Sequence, residues 1–146
     1  MSGAARAWID GASRGNPGPS AFGVLFEVNG ESHEILGYLG RGTNNVAEYM
    51  GLIAALSYAR HLGVEGLEVR ADSELLVRQV NGAYKVKAPH LLPLFLHILK
   101  LRRGLKSFSI RHVLRGENSA ADGLANRAIN EHAPLPAWIE LPAAQP

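Results

Sequence analysis

The feature that most constrains this chain is a lone carboxylate at the end of an apolar stretch, in Trp8-Ile9-Asp10-Gly11. A glycine-rich segment, Gly15-Asn16-Pro17-Gly18-Pro19, follows almost at once. A charge at the end of a buried strand is costly unless something pairs with it, and the mouth of an α/β sheet is where enzymes collect such groups. We therefore expect a strand over residues 4–10 that delivers Asp10 to a functional site.

The pattern after the glycine-rich segment predicts two further strands joined by a tight turn. Residues 21–28 alternate apolar side chains with others, and Asn29-Gly30 favours a two-residue hairpin turn. A third strand over about 32–39 follows. Three consecutive strands with short links should form an antiparallel meander.

The second half of the chain alternates helical and extended patterns. We predict a largely buried helix over 46–59, a strand over 67–71 that ends at Asp72, helices over 73–80 and 90–103, a strand over 106–114 and a last helix over 119–132. A helical crossover after the third strand places the fourth strand parallel to the first. The predicted fold class is therefore α/β, with a five-stranded mixed sheet of three antiparallel and then parallel strands, flanked by helices.

Length and composition predict one domain and a tail. The chain has 146 residues, of which 47% are hydrophobic and 19% charged, as in an ordinary globular protein. We place the domain at 1–132 and a Pro- and Ala-rich tail at 133–146, which is either disordered or docked through Trp138 and Ile139. The chain has no cysteine and no apolar run of membrane-spanning length. We expect a monomeric cytoplasmic protein that does not enter a membrane.

Four acids stand out because their surroundings are apolar or small: Asp10, Glu48, Asp72 and Asp122. Asp72 and Asp122 could each cap a helix, but Glu48 is the only charge between residues 41 and 60. Clustered carboxylates repel one another and need cations, and Mg²⁺ and Mn²⁺ favour oxygen ligands. Two such ions about 3.5–4 Å apart can clamp a phosphodiester, so the four acids together predict phosphodiester chemistry.

The positive charge is concentrated in one part of the chain. No Asp or Glu lies between Glu74 and Glu117, whereas nine Lys and Arg do. Such a block favours a polyanionic partner such as nucleic acid, and a solvated basic face is an equally open interpretation.

Four short motifs follow one another along the chain. They are Asp10-Gly11 with Gly15-Asn16-Pro17-Gly18-Pro19, then Thr43-Asn44-Asn45-Val46-Ala47-Glu48, then Asp72-Ser73, and finally Asn118-Ser119-Ala120-Ala121-Asp122-Gly123-Leu124-Ala125. In this order and spacing they resemble the type 1 ribonuclease H family, over nearly the whole chain. The resemblance is to its compact cellular form, without a basic protrusion or a separate hybrid-binding domain.

The resemblance implies a ribonuclease H-like fold and a metal-dependent endoribonuclease. Such an enzyme hydrolyses the RNA strand of RNA/DNA hybrids and leaves 5′-phosphate and 3′-hydroxyl ends. The four acids would be the catalytic residues and the ligands of two Mg²⁺ or Mn²⁺ ions, with Asp10 bridging both and Asp122 holding the more mobile one. The resemblance assigns hybrid contacts to Asn16, Asn44 and Asn45, which suits amides that bind riboses, base edges and phosphates.

The chain departs from the family pattern before the last acid. Many members carry a histidine there in a longer loop, whereas residues 113–118 are short and lack it. His112 lies just upstream, where the alternation of the strand favours a structural role. We expect Arg115 or Glu117 to shape this loop.

A second departure follows Gly82, where several relatives insert a basic protrusion. The segment here is compact, Tyr84-Lys85-Val86-Lys87-Ala88-Pro89. We therefore expect hybrid affinity to rest on Lys85 and Lys87, together with the Lys100–Arg103 cluster, and Tyr84 is the best candidate among the aromatic residues for contacting nucleic acid.

Two alternatives stay open. One is a nuclease of the same fold that cuts double-stranded RNA or structured DNA. The other is a hybrid-binding module without catalysis. The presence of all four acids argues against the binding module, because a pure binder gains nothing from negative charge where phosphate must lie.

Overall fold

The chain folds around one mixed sheet. The computed structural model describes residues 3–143. Within them the elements are β1 (Ala4–Ser13), β2 (Gly18–Val28), β3 (Glu31–Gly42), α1 (Asn44–Leu62), β4 (Gly66–Ala71), α2 (Glu74–Val80), α3 (Leu92–Arg102), β5 (Ser107–His112), a 3₁₀ turn (Arg115–Glu117) and α4 (Ser119–Glu131). The strand order is β3-β2-β1-β4-β5. The predicted fold class is confirmed, because β1 to β3 pair antiparallel while β4 and β5 continue the sheet in parallel.

The register of the central strands brings two acids to one edge of the sheet. In the parallel pair of β1 and β4, Ile9 lies opposite Ala71. Asp10 and Asp72 each follow the last paired residue, so both emerge side by side. This arrangement results from the helical crossover through α1, which returns the chain to the sheet with β4 parallel to β1.

Helix α1 covers one face of the sheet and begins beside this edge. The side chain of Thr43 caps it by accepting a hydrogen bond from the Val46 N–H at 3.3 Å. Gly63 ends it in the left-handed conformation, at φ 73°. Most of the helix is buried, as its nearly continuous apolar sequence predicts.

Two glycines allow helices to approach the sheet on both faces. A Cβ atom on Gly11 would lie 2.3 Å from the Ala47 carbonyl carbon in α1, and one on Gly23 would lie 2.4 Å from the Ala121 carbonyl oxygen in α4. Neither contact tolerates a side chain. Gly11 therefore allows α1 to place Glu48 close to Asp10. Gly23 allows the first turns of α4 to pack close to Asp10 on the other face.

At the edge that carries the acids, β1, β2 and β3 are longer than the sequence pattern predicts, whereas β4 ends as predicted and β5 ends two residues earlier. β1 continues to Ser13, so Asp10 lies inside a strand and not at its end. On one side, the antiparallel partner β2 begins at Gly18 and pairs with β1 up to the pair Ser13–Ser20. On the other side, the parallel partner β4 stops at Ala71, opposite Ile9. Pairing on one side is enough to keep the backbone extended beyond Asp10.

Residues 133–143 contain no helix or strand, and they pack on the body of the protein. Trp138 and Ile139 lie against the main core, and the Glu140 N–H donates to the Ser57 hydroxyl at 3.0 Å. At the start of the segment, the Tyr38 N–H donates to the Ala133 carbonyl at 2.8 Å. Residues 144–146 of the predicted tail lie outside the described residues, and the domain boundary at 132 stays a prediction. No helix in the described part of the chain is long and apolar enough to cross a membrane.

Candidate active site

Three of the four predicted acids form one cluster. A carboxylate oxygen from each of Asp10, Glu48 and Asp72 can be chosen so that all three lie within 4.8 Å of one another. Asp10 is only 5% exposed, and its Oδ1 accepts a hydrogen bond from the Gly11 N–H at 3.0 Å. The cluster thus joins β1, α1 and the end of β4, elements that are far apart in sequence.

The cluster is electrostatically unfavourable as three free anions. Burial, followed by the negative charges of Asp72 and Asp122, raises the pKa of Asp10 to about 8. Burial and the charges of Asp10 and Asp72 also raise the pKa of Glu48 well above its usual value. Glu48 Oε2 is buried without a hydrogen-bond partner. A bound cation would relieve this repulsion.

Among the described residues, the basic group paired with the cluster is Arg115, and it does not neutralise the acids. Arg115 Nε lies 4.0 Å from Asp72 Oδ2, but the Arg115 side chain is 91% exposed. A pair so exposed contributes little. An all-oxygen set of carboxylates with an orphaned buried oxygen fits a hard divalent cation such as Mg²⁺ or Mn²⁺.

The fourth acid, Asp122, lies beside the cluster in the first turn of α4. Its negative charge contributes to the raised pKa of Asp10. The Asn126 side chain holds it, because Nδ2 donates to Asp122 Oδ1 at 3.3 Å and to the Asp122 carbonyl at 3.0 Å. The sequence analysis missed Asn126, although its spacing of four residues from Asp122 on a helix was the available signal.

A second asparagine missed by the sequence analysis fixes α4 to the sheet. Asn118 is 1% exposed, and its Nδ2 donates to the Ile9 carbonyl at 2.8 Å, next to Asp10. The preceding 3₁₀ turn is closed by Glu117, whose Oε1 accepts from the Leu114 N–H at 3.4 Å. The short loop thereby sets where Asp122 lies relative to Asp10.

The acids face an open cavity of about 390 Å³. Its lining consists of Asp10, Gly11, Ala12, Ser13, Asn44, Asn45, Glu48, Asp72, Ser73, Arg115, Asp122 and Asn126. The predicted hybrid contacts Asn44 and Asn45 thus lie in the same cavity as the acids. Asn16 lies just outside the lining, where its Oδ1 accepts from the Asn44 N–H at 3.1 Å.

The basic residues predicted to grip nucleic acid do not line this cavity. Lys85 and Lys87 are exposed in the segment between α2 and α3. The Lys100–Arg103 cluster lies at the end of α3, where Gly104 approaches the Arg60 side chain near the end of α1. Since Arg60 is twelve residues beyond Glu48 on α1, the two ends are about 18 Å apart along the helix. The cluster therefore does not contact the acids, and its role in binding hybrid stays a prediction.

Comparisons with known proteins agree with the geometry. Residues 9–128 match the family described as "Reverse transcriptase-like". The ribonuclease HI of Halobacterium salinarum is 42% identical over 88% of this chain and 66% of its own length. A crystal structure of the enzyme from that archaeon superposes with a TM-score of 0.84, covering 88% of this chain and 99% of the other.

Two further relatives are similar. A bifunctional protein of Mycobacterium tuberculosis is 42% identical over 83% of this chain and 34% of its own length. The crystal structure of LC11-RNase H1 in complex with RNA/DNA hybrid has a TM-score of 0.82 at 40% identity, covering 88% of this chain and 98% of the other. The chain thus spans about two thirds of the archaeal relative and about one third of the mycobacterial one.

A mixed five-stranded sheet with carboxylates gathered beside its central strands is the architecture of the ribonuclease H class of proteins. The chain belongs to the ribonuclease H family. The resemblance predicted from the four motifs is therefore confirmed.

Proposed function

We propose that this chain is a metal-dependent endoribonuclease that hydrolyses the RNA strand of RNA/DNA hybrids. The observation that carries the proposal is the cluster of Asp10, Glu48 and Asp72, which is centred on the buried Asp10 and whose negative charges raise the pKa of Asp10. Hydrolysis gives 5′-phosphate and 3′-hydroxyl ends. Two Mg²⁺ or Mn²⁺ ions supply the activation of water and the stabilisation of the leaving oxygen.

The side chains divide the work between the ions and the substrate. Asp10, Glu48, Asp72 and Asp122 hold the ions. Asn44 and Asn45 lie in the same cavity and contact the hybrid, with Asn16 supporting the start of α1 through its hydrogen bond to the Asn44 N–H. Backbone and ribose contacts of this kind distinguish RNA from DNA through the 2′-hydroxyl and carry little base specificity.

Lys85 and Lys87 have a supporting role in this proposal. Both are exposed on the segment that joins α2 to α3 and do not line the cavity of the acids. They interact with phosphates outside the cleavage site, so they contribute affinity that depends on salt and not on sequence.

The active form in this proposal is a cytoplasmic monomer. The absence of cysteine suits a reducing compartment. Light scattering of the purified protein and fractionation of the source cells test the two statements separately.

The decisive experiment compares substrates, metals and one variant. A labelled RNA/DNA hybrid, duplex RNA and single-stranded RNA are each incubated with Mg²⁺, Mn²⁺ or chelator. The expected result is cleavage of the hybrid in either metal and none in chelator, with ends that a phosphatase assay identifies as 5′-phosphates. Asp10→Asn lowers the rate at least about 10³-fold, because it removes a ligand of the ions.

A matched control keeps the interpretation sharp. Glu31→Gln removes one carboxylate at the end of the sheet away from the acids and leaves cleavage unchanged. Cleavage of duplex RNA at the same rate as the hybrid would favour the broader nuclease. Hybrid binding with no cleavage in either metal would favour a binding module and contradict the proposal.

A further inference from the structure

The edge of the sheet formed by β5 carries a second concave surface. No other strand in the described chain pairs with the outer side of β5. An open cavity of about 360 Å³ lies at this edge, lined by Val80, Asn81, Arg102, Arg103 and Phe108. This lining contains no acid and is separate from the carboxylate cavity.

Two of the polar side chains in this cavity are held in place. The Arg102 guanidinium lies over the Phe108 ring, 5.8 Å from its centroid, and Nη1 donates to the Val80 carbonyl at 3.3 Å. Asn81 Nδ2 donates to the Ile110 carbonyl of β5 at 3.1 Å. An arginine plane fixed over an aromatic ring is a surface on which a nucleobase stacks.

The lining of this cavity carries positive charge and no acid. Arg103 is exposed at the end of α3 and forms no ion pair with a described residue. Arg111 pairs with Arg70 of β4 and, by the alternation of the strand, lies on the face of the sheet away from Phe108, so it is not part of this cavity. The exposed Arg103 guanidinium is available to bind a phosphate.

β5 leads from this cavity to the carboxylates. Phe108 pairs with Leu67, and His112 pairs with Ala71, the residue before Asp72. Phe108 and His112 are four steps apart along the strand, a distance of about 13 Å. A nucleic-acid strand that continues from the carboxylate site can therefore reach the cavity by following β5.

We propose that the β5 edge, defined as Asn81, Arg102, Arg103 and Phe108, binds a single-stranded nucleic-acid segment that continues from a hybrid held at the carboxylates. The proposal rests on the proposed function, because it extends the substrate of that site. A cavity of this size beside an Arg-covered ring accommodates an unstacked nucleotide, whereas a duplex keeps its bases stacked inside. The acid-free block of the sequence thereby gains a specific role.

The test measures binding in the Asp10→Asn background, which prevents cleavage. Fluorescence anisotropy compares a blunt RNA/DNA hybrid with the same hybrid carrying a single-stranded extension of about eight nucleotides. The extension is RNA or DNA, at the 5′ or the 3′ end of the strand, so that the four arms distinguish its chemistry and its direction. We expect at least one extension to lower Kd by about tenfold, since stacking of one base alone is worth about 1–3 kcal/mol.

Two substitutions assign the gain to the β5 edge. In the double variant Arg102→Gln/Arg103→Gln, the extended hybrid binds no more tightly than the blunt hybrid. The slope of log K against log salt for the extended hybrid becomes shallower by about 1.4, because two positive charges that neutralise phosphates are removed. The control Arg6→Gln removes one positive charge on β1 and leaves the effect of the extension intact. Thermal melting of each variant verifies the fold.

The outcomes separate this proposal from the proposed function. Extensions that give no gain in any arm, or a gain that survives in the double variant, would overturn the role of the β5 edge. Failure to bind even the blunt hybrid would contradict the proposed function. In that case a labelled single-stranded oligonucleotide alone is the probe, and equal binding by the parent and the double variant would overturn the β5 edge independently.

Discussion

Asn126 holds Asp122 from one helical turn away, through a hydrogen bond of 3.3 Å between Asn126 Nδ2 and Asp122 Oδ1. The same amide group donates to the Asp122 carbonyl, and Arg14 Nη2 donates to the Asn126 carbonyl at 3.3 Å. Among the described residues, Asp122 is thus the only acid of the four whose carboxylate accepts a hydrogen bond from a side-chain amide. Asp10, in contrast, is held by its burial and by the Gly11 N–H.

Asn126→Ala is expected to lower kcat about tenfold with little change in KM, because Asp122 loses its orientation and hybrid contacts remain. A tenfold effect corresponds to about 1.4 kcal/mol, the size of one hydrogen bond to a charged group. Single-turnover kinetics and calorimetric titration with Mn²⁺ measure it, and Mn²⁺ should bind more weakly. The control is Asn130→Ala, which removes an exposed amide one turn further along α4. Equal losses in the two variants would mean that Asn126 only stabilises the helix.

Gly11→Ala is expected to destabilise the protein by at least about 3 kcal/mol. The new Cβ would lie 2.3 Å from backbone atoms of Ala47 and Glu48, so α1 must move away from β1. Urea denaturation of both proteins measures the free energy of unfolding. Gly123→Ala is the matched control, since its Cβ on α4 meets nothing within 4 Å and should stabilise by about 0.5–1 kcal/mol. A small cost for Gly11→Ala would show that the two elements can separate without penalty.

The convergence of three acids could be predicted from the sequence because it follows from topology. Because the crossover makes β1 and β4 parallel neighbours, their carboxyl-terminal ends lie side by side. Helix α1 begins beside these ends, so Asp10, Glu48 and Asp72 lie at one edge of the sheet. The length of β1 beyond Asp10 could not be predicted. It depends on how far a partner strand extends, which local alternation does not encode.

The supporting polar residues and the basic residues were harder to place. Asn118 and Asn126 act through hydrogen bonds to a strand and to a neighbouring acid, which require the packing of α4 to be known. The Lys100–Arg103 cluster lies at the far end of α1 from Glu48, and its expected contact with hybrid stays a prediction. Charge in a sequence indicates a partner class, but only the angle at which α3 packs decides which surface carries the charge.

Trp138→Ala is expected to cost about 2 kcal/mol of stability and to leave hybrid cleavage unchanged. The Trp138 ring lies against Tyr58, with centroids 4.7 Å apart, and beside His61 at 6.1 Å. The ring is half-buried, so the loss is smaller than for a core tryptophan. Thermal and urea denaturation measure the loss.

Glu140→Gln separates packing from charge in the same segment. Glu140 Oε2 lies 2.6 Å from Arg60 Nε, but both side chains are more than 40% exposed, so the variant should lose less than about 1 kcal/mol. Removal of residues 133–146 should cost at least as much as Trp138→Ala. A truncated chain as stable as the parent would place the end of the folding unit at residue 132, and a large loss would extend it.

The metal-free protein is expected to become less stable as the pH rises from about 4 to 8. The pKa of Asp10 is about 8 in the folded protein and 3.8 for an unperturbed side chain, so the folded state keeps a proton that the unfolded state releases. The free energy of unfolding falls as the pH rises wherever the unfolded state binds fewer protons than the folded state. The stabilisation by the proton on Asp10 is therefore lost progressively until the pH passes the pKa of Asp10 in the folded protein. Glu48 acts in the same direction. Urea denaturation in chelator at several pH values measures the slope.

Asp10→Asn removes the ionisable group and should flatten this slope. At pH 8 in chelator the variant should be more stable than the parent by at least about 1 kcal/mol, because a shift of one pKa unit corresponds to 1.36 kcal/mol. Saturating Mg²⁺ should stabilise the parent most at high pH, where the carboxylates bind metal without releasing protons, and should have little effect on the variant. The prediction is wrong if the metal-free stability of the parent protein is constant or rises between about pH 5 and pH 8. Such a result would mean that Asp10 is not protonated in the folded protein and that the cluster does not need a cation.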